Sequence, residues 1–247
     1  MAVMLCFGAA SHTAAQQSPN IHYRHSGEMP PGAIGRAQLQ RGGPLPGYFQ
    51  PVAITAPQGT RVSLAAGGTF DSLEQAPRKA GMLIGQVYRL RVSNIPLRPG
   101  DEVFPTIEVI DRIYPPLGRE AEFPIPIQLT TEDLTLAAGG KFVTRVIYVE
   151  DPKRALPIRE LGGEQTWFEV NEGADPLRTA DELGRPVAIL RIGARVPDGG
   201  VPNDRFLFGS PPWLPVEVQQ PPSQPGPGDR DLPDSVGPGI EQAQVAP

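Results

Sequence analysis

Apolar and polar positions in the middle of the chain alternate in the way that β-strands require. QVYRLRVS (86–93) is the clearest stretch, because its apolar and basic residues fall on opposite faces. The pattern predicts a half-buried strand whose outer face lies in water. The predicted buried residues are Tyr88, Leu90 and Val92, and the predicted wet residues are Arg89 and Arg91.

Two further stretches predict strands of different kinds. FPTIEVID (104–111) continues the alternation, and it predicts that Ile107 and Val109 point inward and Glu108 outward. KFVTRVIYVE (141–150) is apolar on both faces with two exceptions, which is typical of a central, well-covered strand.

Shorter strand candidates are PVAI (51–54), TRVSLA (60–65), PIPIQL (124–129), TWFEV (166–170) and PVAILRIG (186–193). Pro124 and Pro126 cannot donate to a ladder, so PIPIQL is expected at a sheet edge. About eight short strands with frequent Pro and Gly turns predict a mainly β fold. We expect an antiparallel β-sandwich of the Ig-like or jelly-roll-like kind, with two short helices and disordered Pro/Gly-rich termini.

The two helices are predicted from their end signals. In GADPLRTADELGRP, Asp175 is the N-cap, Pro176 takes the first helical position and Gly184 follows the end. In TTEDLTLAAGGK, Thr130 or Thr131 caps the helix, two acids occupy the first turn, and Gly139 takes the left-handed position after the end.

The pentapeptide LAAGG occurs twice, at 64–68 and 136–140. The second copy follows the capped helix start, whereas the first follows the alternating TRVS and is expected to end a strand. The same five residues should therefore adopt two backbones because their flanks differ. Duplication of a half-domain and coincidence in a biased composition both remain open, since a repeat architecture should show several units at a fixed period.

Composition divides the chain into four parts. Its 31 Pro and 28 Gly together approach a quarter of the chain, and the segments at the two ends cannot bury enough apolar surface to offset ordering. We predict a signal-like segment at 1–15, a flexible N-terminal arm at 16–50, a β-sandwich domain at 51–210 and a Pro-rich disordered tail at 211–247. Four apolar residues at the start of the tail are expected to dock on the domain: Trp213, Leu214, Val216 and Val218.

The first residues, MAVMLCFGAASHTAAQQ, have the short apolar run of a secretory signal, and Thr13 and Ala15 fit its cleavage site. The basic n-region is missing, so either the true start lies upstream or the signal is unusual. The single cysteine, Cys6, lies in this segment. Cleavage would leave a chain without disulfides or thiol chemistry. No apolar run has the roughly 20 residues that span a bilayer.

Charge and histidine content exclude several functions. A net charge of −5 with no basic cluster argues against nucleic acid as a partner. The three histidines are His12 in the signal-like segment and His22 and His25 in the predicted arm. The predicted domain therefore has no histidine for a Ser-His-Asp triad or a zinc site. No phosphate-binding loop is present, and we predict no catalytic or cofactor-binding residues.

Two kinds of polar site remain possible in the predicted domain: a metal site made of oxygen ligands, and a catalytic pair of carboxylates. PDGGVPNDR (197–205) places Asp198, Asn203 and Asp204 around glycines, which makes a weak calcium candidate, with an ordinary turn as the alternative. A hydrolase needs only two converging carboxylates, one with a raised pKa. The acids of the domain available for such a pair include Asp101, Glu102, Glu108, Asp111, Glu120, Glu122, Glu132, Asp133, Glu150, Asp151, Asp181 and Glu182.

From these observations we expect an exported, non-enzymatic β-sandwich protein. It would be a binding or structural module of the cell envelope, located in the periplasm, at the cell surface or outside the cell. Two alternatives remain: a secreted, carboxylate-dependent polysaccharide hydrolase, and a subunit of a surface assembly that receives a partner strand at the Pro124 edge.

Overall fold

The structure, a computed structural model, describes residues 22, 25–153, 167 and 169–216. The expectations for the signal-like segment, Cys6, His12, Val218 and the tail from residue 217 lie outside these residues. Within them the protein is mainly β, with 34% strand, 17% helix and two sheets.

The described part of the chain forms three α-helices and eleven strands. The helices are α1 (Ala33–Gln40), α2 (Thr131–Ala138) and α3 (Pro176–Leu183). The strands are β1 (Phe49–Thr55), β2 (Arg61–Ala66), β3 (Thr69–Phe70), β4 (Glu74–Gln75), β5 (Arg78–Leu83), β6 (Val87–Ser93), β7 (Thr106–Val109), β8 (Ile125–Gln128), β9 (Val143–Glu150), β10 (Gly184–Ile192) and β11 (Trp213–Pro215).

A four-stranded sheet has the order β11-β5-β1-β8, and a seven-stranded sheet has the order β3-β2-β6-β7-β10-β9, with β4 added beside β2. The pairings are antiparallel except for β1 with β8, which run parallel with Val52 opposite Ile125. The expectation of purely antiparallel sheets is therefore wrong at this pair. As PIPIQL predicted, β8 lies at a sheet edge.

Both sheets contribute to one large hydrophobic cluster. Its fully buried members include Val52, Ile54, Met82, Ile125 and Ile127 of the four-stranded sheet, and Leu64, Tyr88, Leu90, Ile107, Val109 and Leu190 of the seven-stranded sheet. The inward positions predicted for β6 and β7 are thus confirmed. A second, small cluster lies where α1 and α3 pack on the seven-stranded sheet, and it contains Ile34, Ile110, Leu177 and Ile189.

The two LAAGG copies do adopt different backbones. In the first, Gly67 and Gly68 have φ of 58° and 84° and make the two-residue turn between β2 and β3. Positive φ at both turn residues matches the twist of the flanking strands, and glycine supplies it without a steric penalty. In the second copy the helix α2 ends, but Gly139 has φ −81° and Gly140 has φ 89°. The left-handed residue is therefore Gly140 rather than the predicted Gly139.

Both predicted helix starts are confirmed. The Thr130 side chain accepts a hydrogen bond from Asp133 N at 3.1 Å, and Asp175 Oδ1 accepts one from Leu177 N at 3.0 Å. A third helix, α1, was not predicted, because the arm before β1 lacks a periodic apolar face. It nevertheless buries Ile34 completely.

Three predictions about strands are wrong. KFVTRVIYVE forms β9, which lies at the edge of its sheet rather than at the centre. The described residues of TWFEV, namely 167, 169 and 170, have no strand conformation. The wet outer face predicted for β6 and β7 is wrong at Arg89 and Glu108, which are 6% and 0% exposed, whereas the Arg91 side chain is 37% exposed, as predicted. Arg89 donates to the carbonyls of Phe206 and Phe104, so the loop after β10 covers that face.

Candidate functional site

Glu108 and Arg191 form a buried ion pair on the face of the seven-stranded sheet that carries α1. Their side chains lie on the neighbouring strands β7 and β10, and Arg191 Nη1 donates to Glu108 Oε2 at 2.8 Å. Glu108 Oε1 accepts a hydrogen bond from Gly35 N at 2.9 Å, inside the first turn of α1. A carboxylate at this position satisfies an unpaired helical N–H and complements the helix dipole. The pair therefore fastens α1 to the sheet.

Two glycines allow α1 to approach the sheet this closely. A Cβ on Gly35 would lie 2.8 Å from Gly85 Cα, which is closer than real Cβ atoms come to other atoms. Gly85 itself has φ 80° and donates its N–H to Val109 O at 2.7 Å. Helix, glycines and ion pair thus form one docking arrangement between the N-terminal segment and the sheet.

His22 and His25 belong to the same arrangement, so the prediction that they lie in a flexible arm, apart from a domain without histidine, is wrong. His22 is 2% exposed, and its backbone N–H donates to Asp181 Oδ2 of α3 at 2.9 Å. Its Nδ1 lies 3.0 Å from His25 Nδ1, and its Nε2 lies 3.2 Å from Gln38 Nε2 of α1. Arg41 donates to His25 Nε2 at 3.0 Å.

Neutral rings suit these contacts. A guanidinium can only donate, so His25 Nε2 accepts from Arg41 and His25 Nδ1–H donates to His22 Nδ1. The proton of a neutral His22 then lies on Nε2, so the Gln38 amide must turn its oxygen rather than its nitrogen towards this ring. Protonating either ring would place two N–H groups against each other or against Arg41. Accordingly, burial lowers the pKa of His22 to about 4, with the nearby Asp181 opposing this. Burial and then Arg41 lower the pKa of His25 as well.

A different arrangement of charge surrounds the loop after β7, which contains Arg112 and Tyr114. The Arg112 guanidinium carbon lies 4.4 Å from the ring centroid of Tyr48 and 4.6 Å from that of Tyr114. The Arg185 guanidinium carbon lies 5.2 Å from the same Tyr114 ring. We call these four residues, Tyr48, Arg112, Tyr114 and Arg185, the arginine–tyrosine surface.

Buried polar side chains hold this loop in place. Asp111 Oδ1 accepts a hydrogen bond from Arg112 N at 2.7 Å, and Gln50 Oε1 accepts one from Ile113 N at 2.8 Å. Gln50 is only 1% exposed. Arg185 Nη1 donates both to Asp111 Oδ2 and to Arg112 O. Arg185 is therefore engaged with the loop, whereas Arg112 Nε is buried without a hydrogen-bond partner among the described residues.

Two open grooves lie among the described residues. One, of about 550 Å³, lies between the N-terminal segment and α3, and its lining includes His25, Asp175, Arg178 and Glu182. Asp175 is occupied there, because Oδ1 accepts from Leu177 N and from Gly27 N at 2.9 Å. The other groove, of about 580 Å³, is lined by Phe70, Phe104, Val196, the ion pair of Arg91 with Glu102, and neighbouring residues.

The calcium candidate residues lie on the exposed loop after β10. Asp198 begins a short 3₁₀ turn, and Asn203 and Asp204 are exposed. Asn203 Oδ1 accepts a hydrogen bond from Phe206 N at 2.9 Å, which is ordinary turn chemistry. In the described parts of the chain, no group of three or more His, Cys, Asp or Glu side chains is placed to hold a metal ion. The same residues include no helix long and apolar enough to cross a bilayer.

Sequence reasoning missed both polar arrangements. The only local signal for the arginine–tyrosine surface was Arg112 and Tyr114 in DRIYPP, directly after a predicted strand. Tyr48 and Arg185 are distant in sequence, so only the fold brings them there. No protein-family model, curated protein or solved structure matches this chain. The described residues form a mainly β protein in which the buried acids Glu108, Asp111 and Asp133 pair with arginines and which carries an arginine–tyrosine surface.

Proposed function

We propose that this chain is an exported, non-enzymatic binding or structural module of the cell envelope, built as a β-sandwich. The observation that carries the proposal is the pairing of the buried carboxylates with structural partners, combined with an open arginine–tyrosine surface. The shared hydrophobic cluster of the two sheets supports the sandwich arrangement. The proposal of export rests on the first fifteen residues and on the position of Cys6.

The partners of the buried acids support binding over hydrolysis. Glu108, Asp111 and Asp133 each form an ion pair with an arginine, and Asp181 accepts the N–H of His22. A glycosidase needs one carboxyl group that is protonated at working pH, which requires burial away from positive charge. The arginine and backbone partners already occupy these carboxylates, so these acids are suited to holding the fold together.

The test is retention of the full chain by envelope material. Immobilised chain is incubated with native envelope fractions, and captured glycan and protein are measured together with soluble products. We expect capture without product release. Products that disappear when one of the buried acids is substituted would instead support the polysaccharide hydrolase.

The edge position of β8 favours a second candidate, a subunit of a surface assembly. The exposed Pro126 has no N–H to offer an incoming strand, which limits pairing on this edge. Size exclusion of the full chain and of a chain ending at residue 216 separates the candidates. An oligomer that dissociates on truncation supports assembly, whereas an unchanged elution volume supports the binding module. The truncated chain ends after β11 so that this strand is retained. Trp213 of β11 pairs with β5 and packs on the core, as predicted.

A further inference from the structure

We propose that the arginine–tyrosine surface binds the carboxylate of an acidic sugar, with Arg112 as the anion-binding group. The inference rests on the proposed function and names the class of ligand for that module. It starts from an asymmetry between the two arginines that share the Tyr114 ring: among the described residues, the Arg185 guanidinium has hydrogen-bond acceptors and the Arg112 guanidinium has none.

Arg112 has the chemistry of a preorganised anion site. Two aromatic rings hold its guanidinium plane, so little side-chain entropy remains to be lost when a ligand binds. Its backbone is fixed on both sides by the Asp111 and Gln50 side chains. Within the described residues no carboxylate forms an ion pair with it, since Asp111 is committed to Arg185. A guanidinium matches a carboxylate with two parallel hydrogen bonds.

The local charge favours a monoanion. Arg112 and Arg185 contribute two positive charges, and Asp111 next to them contributes one negative charge. The remaining single positive charge suits a carboxylate. A phosphate dianion would be repelled by Asp111 and would need a further cation.

The apolar surroundings favour a ring over an acidic peptide. Tyr114 is 65% exposed, and Leu117, three residues further along the same loop, is 96% exposed. An open aromatic side chain beside a charged donor suits a ligand that has an apolar face and a polar edge. A uronic acid offers both within one ring, whereas an acidic peptide side chain offers the carboxylate on a flexible stem.

The test is titration calorimetry of the full chain with an oligogalacturonate, its fully methyl-esterified form, triglutamate and inorganic phosphate. The ester keeps the sugar rings and removes the charge. We expect the acidic oligomer to bind at least 10-fold more tightly than each of the other three probes. Equal binding of the ester would overturn the role of the carboxylate, and preferential binding of triglutamate or phosphate would overturn the sugar.

Variants locate the site. Arg112→Gln should weaken binding of the acidic oligomer about 10- to 100-fold, the range for losing a charged hydrogen-bonded pair. Arg112→Lys should recover only part of this, because an ammonium lacks the planar fork. The matched control is Arg119→Gln, since Arg119 also lies over an aromatic ring, Phe123 at 5.4 Å, but is paired with Glu122. It should bind as the unsubstituted chain does.

Circular dichroism of each variant separates loss of the site from loss of the fold. Unchanged binding by a folded Arg112→Gln variant would overturn the assignment. The two proposals can also fail separately. Capture by envelope material with no affinity for any carboxylate probe would sink this inference alone, whereas absence of envelope capture would sink the proposed function.

Discussion

Replacing Glu108 with Gln tests whether the buried ion pair fastens the N-terminal segment to the sheet. The substitution keeps the shape of the side chain and an oxygen that can accept from Gly35 N, but it removes the negative charge. Arg191, which is 4% exposed, is left with Met29 O at 3.2 Å as its remaining acceptor among the described residues. Its Nε already has no partner there.

The expected cost follows from the uncompensated charge. Removing one partner of a buried pair destabilises proteins by about 3 to 5 kcal/mol, because the other charge stays desolvated. Because the glutamine side chain can still accept the hydrogen bond from Gly35 N, we expect Glu108→Gln to lower the free energy of unfolding by about 3 kcal/mol, the lower end of this range. With a urea m-value of about 2 kcal/mol/M for a domain of this size, the unfolding midpoint should fall by about 1.5 M.

Urea unfolding of the full chain, followed by circular dichroism, measures this shift. The double variant Glu108→Leu with Arg191→Met should recover most of the loss, since an apolar pair leaves no buried charge. Glu122→Gln is the control, because Glu122 pairs with Arg119 in solvent and should matter little. A midpoint for Glu108→Gln within about 0.3 M of the unsubstituted chain would refute the reasoning, since it converts through the same m-value to well under 1 kcal/mol.

Two further predictions concern the same docking arrangement. Because the folded state holds His22 neutral with a pKa of about 4, against 6.5 for a free imidazole, the unfolded chain binds more protons between these values and stability falls as pH decreases. From pH 7 to pH 5, protonation of His22 in the unfolded chain should lower the free energy of unfolding by about 2 kcal/mol. In urea melts, the His22→Gln variant should lack this part of the pH dependence. Parallel pH profiles of the variant and the unsubstituted chain would contradict the prediction. Gly35→Ala should destabilise by about 1 to 2 kcal/mol, although alanine normally favours a helix, because its Cβ would meet Gly85 Cα; a higher thermal midpoint for this variant would show that α1 does not pack so closely.

The sequence was informative wherever structure is decided locally. Alternation placed the buried faces of β6 and β7, side-chain oxygens at Thr130 and Asp175 marked two helix starts, and flanking residues separated the two LAAGG copies. These features depend on neighbours within a few residues, so a single sequence carries them.

The errors arose where distant segments meet. Glu108 looks solvated because it alternates with Ile107 and Val109, but the helix α1, whose Gly35 lies 73 residues earlier in the chain, covers that face. The apolar β9 was expected at the centre, whereas its position depends on pairing with β10 alone. The histidines and the arginine–tyrosine surface required the same long-range information. The sequence therefore locates a charged residue on a strand, but the partner that pairs with it can be identified only from the folded structure.

We propose that this protein holds its ligand and does not cleave it. The most direct measurement incubates the full chain with the acidic polysaccharide fraction of the envelope and follows bound uronic acid and newly formed reducing ends in the same samples. We predict saturable binding, weakened by Arg112→Gln, with reducing ends at the level of the protein-free control. Reducing ends that accumulate with time and vanish when Asp175 or Glu182 of the groove beside α3 is replaced by its amide would contradict the account.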